Sequence, residues 1–471
     1  MKTQFLSIAM AALATTSYAA KPKMNVLLLV MDDLRPELNC YGDKSMITPN
    51  IDQLAANGVQ FNRAYCNIPV SGASRASLFT GLRPGVNRFY DVEAKISEDA
   101  PEAITLPMLF KNNGYITYSN SKTIHAPKDA ADSWTASWHA KFPGKTWRNY
   151  LGKENIENDG KRNASLAYEC EDVSDDQYID GMTAKKTIEQ LRELKASGKP
   201  FFIATGILKP HLPFNAPKKY WDLYDFDKIQ LPTNYQIDRS TFPQQAFHNW
   251  NELRFYKNIP ENGPFPDDTE ARRLIQGYKA CVSYADAQVG RIIDELKTLG
   301  LDKNTIVVLV GDHGWSLGNH GDWCKHSNFE VVNNTPLIIN ALGIKKGLKL
   351  NEIAELVDIY PTICKLAGLP VPAQAEGNSL DKLLMKGKDK KWDNSAVIKW
   401  HEGITLMTPD NSYTEWLDKN DKIVTQMLFA YKTDKAENKN VANDPAHKAT
   451  LDALSKQLRA SRGKNFLAQK K

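Results

Sequence analysis

Met24-Asn-Val-Leu-Leu-Leu-Val-Met31 is an almost unbroken apolar run that stops at two carboxylates, Asp32-Asp33. A strand with water on one face alternates apolar and polar residues. A continuous run of this length therefore reads as a strand buried on both faces, the pattern of a parallel sheet covered by helices. Three more strand-like runs lead into polar groups. Tyr115–Ser119 leads to Lys122 and His125, Pro200–Gly206 leads to Lys209-Pro210-His211, and Thr305–Val310 leads to Gly311-Asp312-His313-Gly314 with Lys325 a short loop beyond. Helical patterns lie between these runs. One is Thr48–Asn57, with Pro49 in its first turn and Gly58 at its end; another is Asp268–Leu299, with Ile275, Tyr278, Val282, Val289 and Ile293 on or near one stripe. Alternating strands and helices predict an α/β fold, doubly wound, with a large mostly parallel central sheet flanked by helices. Ligands of such sheets gather outside the carboxyl ends of the strands, so all these polar groups are expected at one edge.

The chain has 471 residues, too many for one small core, and its 42% hydrophobic and 24% charged residues are ordinary for a globular protein. A net charge of +5 gives no support for nucleic-acid binding, which calls for a clustered basic face. Residues 1–19 read as a secretory signal, with Lys2, an apolar stretch over Phe5–Leu13, and Ser17 and Ala19 before the cut. The expected location is thus exported, periplasmic or secreted. No later stretch reads as a membrane span, and no cysteine follows the signal to carry a lipid anchor. The six cysteines show no metal-type spacing and cannot be paired from sequence. The expected division is a catalytic domain over 20–373, then a Lys-rich linker beginning at Gln374 and a C-terminal α+β subdomain over 374–471. The subdomain is expected to hold strands at Ala396–Trp400 and Ile423–Tyr431 and a helix at His447–Arg459.

Ser71-Gly72-Ala73-Ser74-Arg75 sits between the strand-like run Val59–Tyr65 and a helix expected to start at Ala76. Helix entries expose unpaired N–H groups and a positive dipole end, which suit an anion; the bland reading is a polar loop in which Ser74 caps the helix. Asp32, Asp33 and Asp312 supply carboxylate oxygens, with His313 beside the last, and hard oxygen ligands favour Ca²⁺ or Mg²⁺.

Ser71-Gly-Ala-Ser-Arg75, followed by Ala-Ser-Leu-Phe-Thr-Gly81, resembles the signature of the formylglycine-dependent sulfatases, in the serine form and with Ala73 where proline is commoner. Asp32-Asp-Leu-Arg-Pro-Glu-Leu-Asn-Cys-Tyr-Gly-Asp43, Lys209-Pro-His-Leu-Pro-Phe214 and Asp312-His-Gly-Trp-Ser-Leu-Gly-Asn-His-Gly-Asp-Trp-Cys-Lys325 look like its iduronate-2-sulfatase branch. The similarity covers most of residues 24–365. What it implies is an alkaline phosphatase-like fold and hydrolysis of a sulfate ester on a polysaccharide-derived sugar, with a 2-O-sulfated uronic acid as the first expectation. It further implies that a maturation enzyme oxidises Ser71 to formylglycine, whose hydrated aldehyde attacks sulfur. One Ca²⁺ would be held by Asp32, Asp33, Asp312, His313 and the modified Ser71.

By the same resemblance, Lys122 and Lys325 would face the sulfuryl oxygens and His211 would protonate the leaving oxygen. Arg75 would steady the formylglycine hydroxyls, and His125 would take a proton from the second hydroxyl so that sulfate leaves. Arg35, two residues past the Asp pair, is the candidate partner for a substrate carboxylate, since guanidinium pairs with carboxylate through two hydrogen bonds. Its bland reading is a loop brace. Two other functions fit parts of the pattern: a metal-dependent phosphatase or phosphodiesterase using unmodified Ser71, and an inactive glycan-binding protein.

Overall fold

The computed structural model describes residues 23–141, 146–249, 251–262 and 267–461. The expected signal sequence and the end of the Lys-rich C-terminus lie outside the described residues. The central sheet has eight strands: β1 Asn25–Met31, β2 Val59–Phe61, β3 Ile116–Asn120, β4 Ala136–Trp138, β5 Phe201–Ile207, β6 Thr305–Gly311, β7 Leu337–Asn340 and β8 Leu348–Leu350. Their spatial order is β8-β2-β7-β6-β1-β5-β3-β4. Only β7 is antiparallel to its neighbours, pairing that way with both β2 and β6.

The apolar run of β1 is explained by its place at the middle of this sheet. Leu27, Leu29 and Met31 enter the core on one face, and Val26, Leu28 and Val30 enter the core on the other. Every residue of β1, β5 and β6 is buried. The first core is roofed by the helix Asp268–Thr298, whose start is capped by the Asp267 side chain accepting from the Glu270 backbone N–H at 3.0 Å. Its buried stripe includes Ile275, Tyr278, Val282, Val289 and Ile293.

Four local readings differ from the structure. Val59–Tyr65 is two short strands, β2 and the pair Ala64–Tyr65, the second of which joins Ala354–Glu355 in a separate ladder. The next helix spans Ser71–Thr80, so Ser71 is its first residue and not part of a preceding loop. Ser74 is not its cap: the cap position is Val70, and the Ser74 hydroxyl donates to the Asp312 carbonyl at 2.5 Å. The Lys-rich stretch after Gln374 is no bare linker either. It carries the short helix Asp381–Lys386, and Leu380, Leu383 and Leu384 are fully buried in the core that also holds Val26, Leu28 and Val30.

The C-terminal unit is a four-stranded antiparallel sheet, β9 Ala396–Trp400, β10 Gly403–Met407, β11 Asn411–Leu417 and β12 Ile423–Ala430, in sequential order. One face packs Leu451, Leu454 and Leu458 of the helix Lys448–Ser461. The other meets Tyr65 and Phe329 of the larger domain. No helix among the described residues is long and apolar enough to cross a membrane. All six cysteines are unpaired.

Candidate active site

Four adjacent parallel strands deliver the polar groups. In the order β6-β1-β5-β3, their carboxyl ends run on to Asp312 and His313, to Asp32 and Asp33, to His211, and to Lys122 and His125. Ser71 meets them from the N-terminus of its helix. Its Oγ lies 3.1 Å from Asp32 Oδ1 and 3.0 Å from His313 Nε2. Two close approaches require glycine to bring these segments together. A Cβ on Gly72 would fall 2.0 Å from the Val92 carbonyl oxygen, and one on Gly206 would fall 2.1 Å from that of Lys122. Backbone strain collects in the same place: Asp33 (φ 62°), Ser121 beside Lys122 (φ 61°), and Cys324 and His326 on either side of Lys325 (φ 70° and 77°) all adopt left-handed conformations.

Asp32, Asp33, Asp312 and His313 each offer a ligand atom within 4.8 Å of the others, and all four are buried. Arg75, wholly buried, ties the cluster together. Nε donates to Asp312 Oδ2 at 2.8 Å, Nη2 lies 3.4 Å from Asp32 Oδ1, and Nη1 donates to the carbonyls of Lys122 and Thr123. Arg75 thus acts on Ser71 through Asp32, while Nη2 has no hydrogen-bond acceptor of its own and can serve an incoming oxygen. Lys122 Nζ donates to Asp32 Oδ2 at 2.5 Å, and Lys325 Nζ donates to Asp33 Oδ1 at 3.0 Å.

The charges respond to this crowding. Burial raises the Asp32 carboxyl, but Lys122 and Arg75 outweigh it and hold the group well below its ordinary value. Asp33 goes the other way: burial raises it, Lys325 only partly offsets that, and the charge of Asp32 adds to the rise. Asp33 is therefore a buried carboxylate short of positive charge. Hard donors converging on such a group fit a divalent cation. The amine of Lys325 is held protonated, since Asp33 and Glu252 overcome the effect of burial.

His211 is placed between two acceptors. Nδ1 lies 2.6 Å from the Leu212 carbonyl and Nε2 lies 3.0 Å from Glu252 Oε1, an arrangement that suits a ring carrying protons on both nitrogens. Its loop is braced by the buried Asp180, whose carboxylate accepts from the backbone N–H groups of Leu208 and Lys209 at 2.7 and 2.8 Å, and by Lys209 Nζ donating to the Pro213 carbonyl at 2.5 Å. His125 contrasts with His211. Burial first, then the neighbouring charge of Lys122, pushes its imidazole down to about 3, and its Nδ1 is buried without a partner. Burial thus leaves it a neutral ring and a weak base.

Glu252 was not legible in the sequence. Its carboxylate joins Lys325 to His211, accepting from Lys325 Nζ at 3.3 Å on Oε1; burial works to raise it, but Lys325 first and then His211 hold it well below the ordinary glutamate range. It precedes a single turn, Leu253–Phe255, in a stretch without hydrophobic periodicity, so nothing in the local pattern marks it.

Arg35 corrects an expectation. Its guanidinium is spent on the protein: Nη1 donates to the Trp315 carbonyl at 3.1 Å and to Asn319 Oδ1 at 3.0 Å, and Nη2 pairs with Glu37 at 2.5 Å. The residue is 7% exposed and braces the loop after β6. Arg35→Ala should therefore lower stability by about 1–3 kcal/mol, since it leaves buried acceptors unpaired. A thermal melt would register this loss, and the preference among substrates should stay the same.

A sequence profile described as Sulfatase matches residues 24–369, and a second, described as N-sulphoglucosamine sulphohydrolase, C-terminal, matches residues 318–464. Iduronate 2-sulfatase of Mus musculus is 31% identical, over 94% of this chain and 95% of the mouse protein. The Homo sapiens iduronate 2-sulfatase is 34% identical, over 80% of this chain and 74% of the human one. Among solved structures, a 2-O GAG sulfatase superposes with a TM-score of 0.72 at 24% identity, covering 93% of this chain and 91% of its own.

Proposed function

The chain belongs to the sulfatase family and hydrolyses sulfate esters, and from that premise we propose that its substrate is a sulfated sugar of polysaccharide origin, a 2-O-sulfated uronic acid first. We propose further that Ser71 works as formylglycine, made by a maturation enzyme, beside one Ca²⁺. The observation that carries this reading is the Ser71 hydroxyl, 3.1 Å from Asp32 and 3.0 Å from His313 inside a buried four-ligand cluster.

Asp32, Asp33, Asp312 and His313 would hold the cation, with the modified Ser71 beside them. Calcium bound there supplies positive charge against the sulfuryl oxygens, and formylglycine supplies a hydrated aldehyde as nucleophile. The chain's own side chains do the rest. Lys122 and Lys325 line the cluster with two further positive charges for an anionic ester. Arg75 fixes Asp32 and Asp312 against each other and keeps one N–H free for an oxygen at position 71. His211 holds a proton at Nε2 against Glu252, where it can pass to the leaving sugar oxygen. His125, neutral through burial, would take the proton of the second hydroxyl once the bound ester brings negative charge beside it.

The test is a panel of glycosaminoglycan and algal oligosaccharides, sulfated and desulfated, with sulfate release as the readout. A terminal 2-O-sulfated uronate should be turned over fastest. Equal turnover of a neutral sulfated sugar would overturn the uronate assignment, and no sulfate release from any sugar would overturn the polysaccharide one.

A further inference from the structure

Trp147 lies outside the constellation just described and yet touches it. Its ring meets that of His211 edge-on, with centroids 5.2 Å apart and planes at 76°. At 42% exposure it is the one aromatic residue among the large hydrophobic side chains left exposed in the described part of the chain. Leaving an indole in water forfeits the favourable burial of a large apolar face, so a fixed, exposed one beside a reacting group calls for a partner.

The indole is held in place. The Arg148 guanidinium lies 5.0 Å from the Trp147 ring centroid and 4.6 Å from that of Phe255, with Asp159 at 3.6 Å. The Arg148 carbonyl accepts from Asn215 Nδ2 at 3.0 Å, and Asn215 belongs to the strand Phe214–Pro217 that continues the His211 loop. This hydrogen bond ties the backbone that carries the indole to the strand that follows His211.

We propose that Trp147 is a sugar platform. Its exposed face stacks on the apolar C–H face of the pyranose whose hydroxyl is released, and so selects cyclic sugar sulfates. The inference rests on the reading of His211 as proton donor. The leaving oxygen of a 2-O-sulfated sugar is bonded directly to the ring, and that of a 6-O-sulfated one is a single carbon away, so a side chain in contact with His211 lies close to the ring in either case. An apolar face suits it because pyranoses present C–H groups on their faces and hydroxyls at their rims.

Trp147→Ala and Trp147→Phe would be compared with the parent enzyme on a 2-O-sulfated uronate disaccharide and on glucosamine 6-sulfate, with inorganic sulfate as a product inhibitor. Inorganic sulfate carries no sugar ring to stack on the indole. For whichever sugar is turned over, Trp147→Ala should raise KM about tenfold, with kcat, its pH profile and the inhibition constant of inorganic sulfate unmoved. Trp147→Phe should recover most of the loss. An unchanged KM for the sugar would overturn the proposal, as would a KM rise matched by weaker inhibition by inorganic sulfate, which would make Trp147 a wall of the sulfuryl pocket. His211→Ala tests the underlying reading separately: full turnover there would remove the premise, whatever Trp147→Ala does.

Discussion

Ser71→Ala is expected to lose turnover by about a thousandfold or more while keeping the fold, because on the proposed mechanism it deletes the one oxygen from which the nucleophile is built. The hydroxyl touches Asp32 and His313, and the residue is 2% exposed. Removing it leaves the backbone of the helix Ser71–Thr80 and the contact of Gly72 with Val92 in place. Circular dichroism and the melting temperature should therefore stay close to the parent. The chemical counterpart is a mass measurement on the peptide holding Ser71. Protein made with a maturation enzyme should have lost two hydrogens there, and protein made without one should carry intact serine and be inactive. Full activity with unmodified Ser71 would sink the formylglycine mechanism and revive a directly attacking serine. Loss of activity together with unfolding would be uninformative in the alanine variant alone, so Ser71→Thr supplies a second variant that keeps the hydroxyl.

The frame of this site was legible because burial on both faces of a sheet has one simple consequence. Val26, Leu28 and Val30 serve one core and Leu27, Leu29 and Met31 the other, so the run has no polar gap until Asp32. The start of the Ser71 helix was misread for a related reason. All ten of its residues are buried and its cap position is Val70, so it lacks both the amphipathic stripe and the capping side chain by which helices announce themselves. Sequence spacing also misplaced Arg35. Two residues from a ligand suggests the same site, but Asp33 adopts a left-handed φ of 62°, and the chain leaves its extended line before Arg35 is reached. Glu252 was beyond reach altogether, since an irregular segment brings it to Lys325 from 73 residues away. In the C-terminal unit the outer strands were expected, whereas β10 and β11 between them were not; Asn411-Ser412 and Thr414-Glu415 are polar yet largely buried within the sheet.

Asp33→Asn and Asp312→Asn should each cost about a thousandfold in rate, roughly 4 kcal/mol of barrier, by weakening the cation site. The two variants differ in what else they break. Asp312 also pairs with Arg75, so its loss leaves a buried guanidinium short of an anion and should lower the melting temperature. Asp33 is raised by burial, so in metal-free protein its ionisation opposes folding. That stabilising proton is fully present below the ordinary aspartate value and is lost as pH rises through the raised folded value. A bound divalent ion removes the penalty. Adding Ca²⁺ to chelator-treated protein should therefore raise the melting temperature, and the increment should grow as pH rises through the Asp33 transition. In Asp33→Asn the increment should shrink and its pH dependence should flatten. Elemental analysis of the active enzyme should find one calcium per chain. Two zinc ions per chain would overturn the calcium assignment and favour the phosphatase chemistry that the same sheet edge could support, whereas full activity after chelation would overturn a metal requirement of either kind.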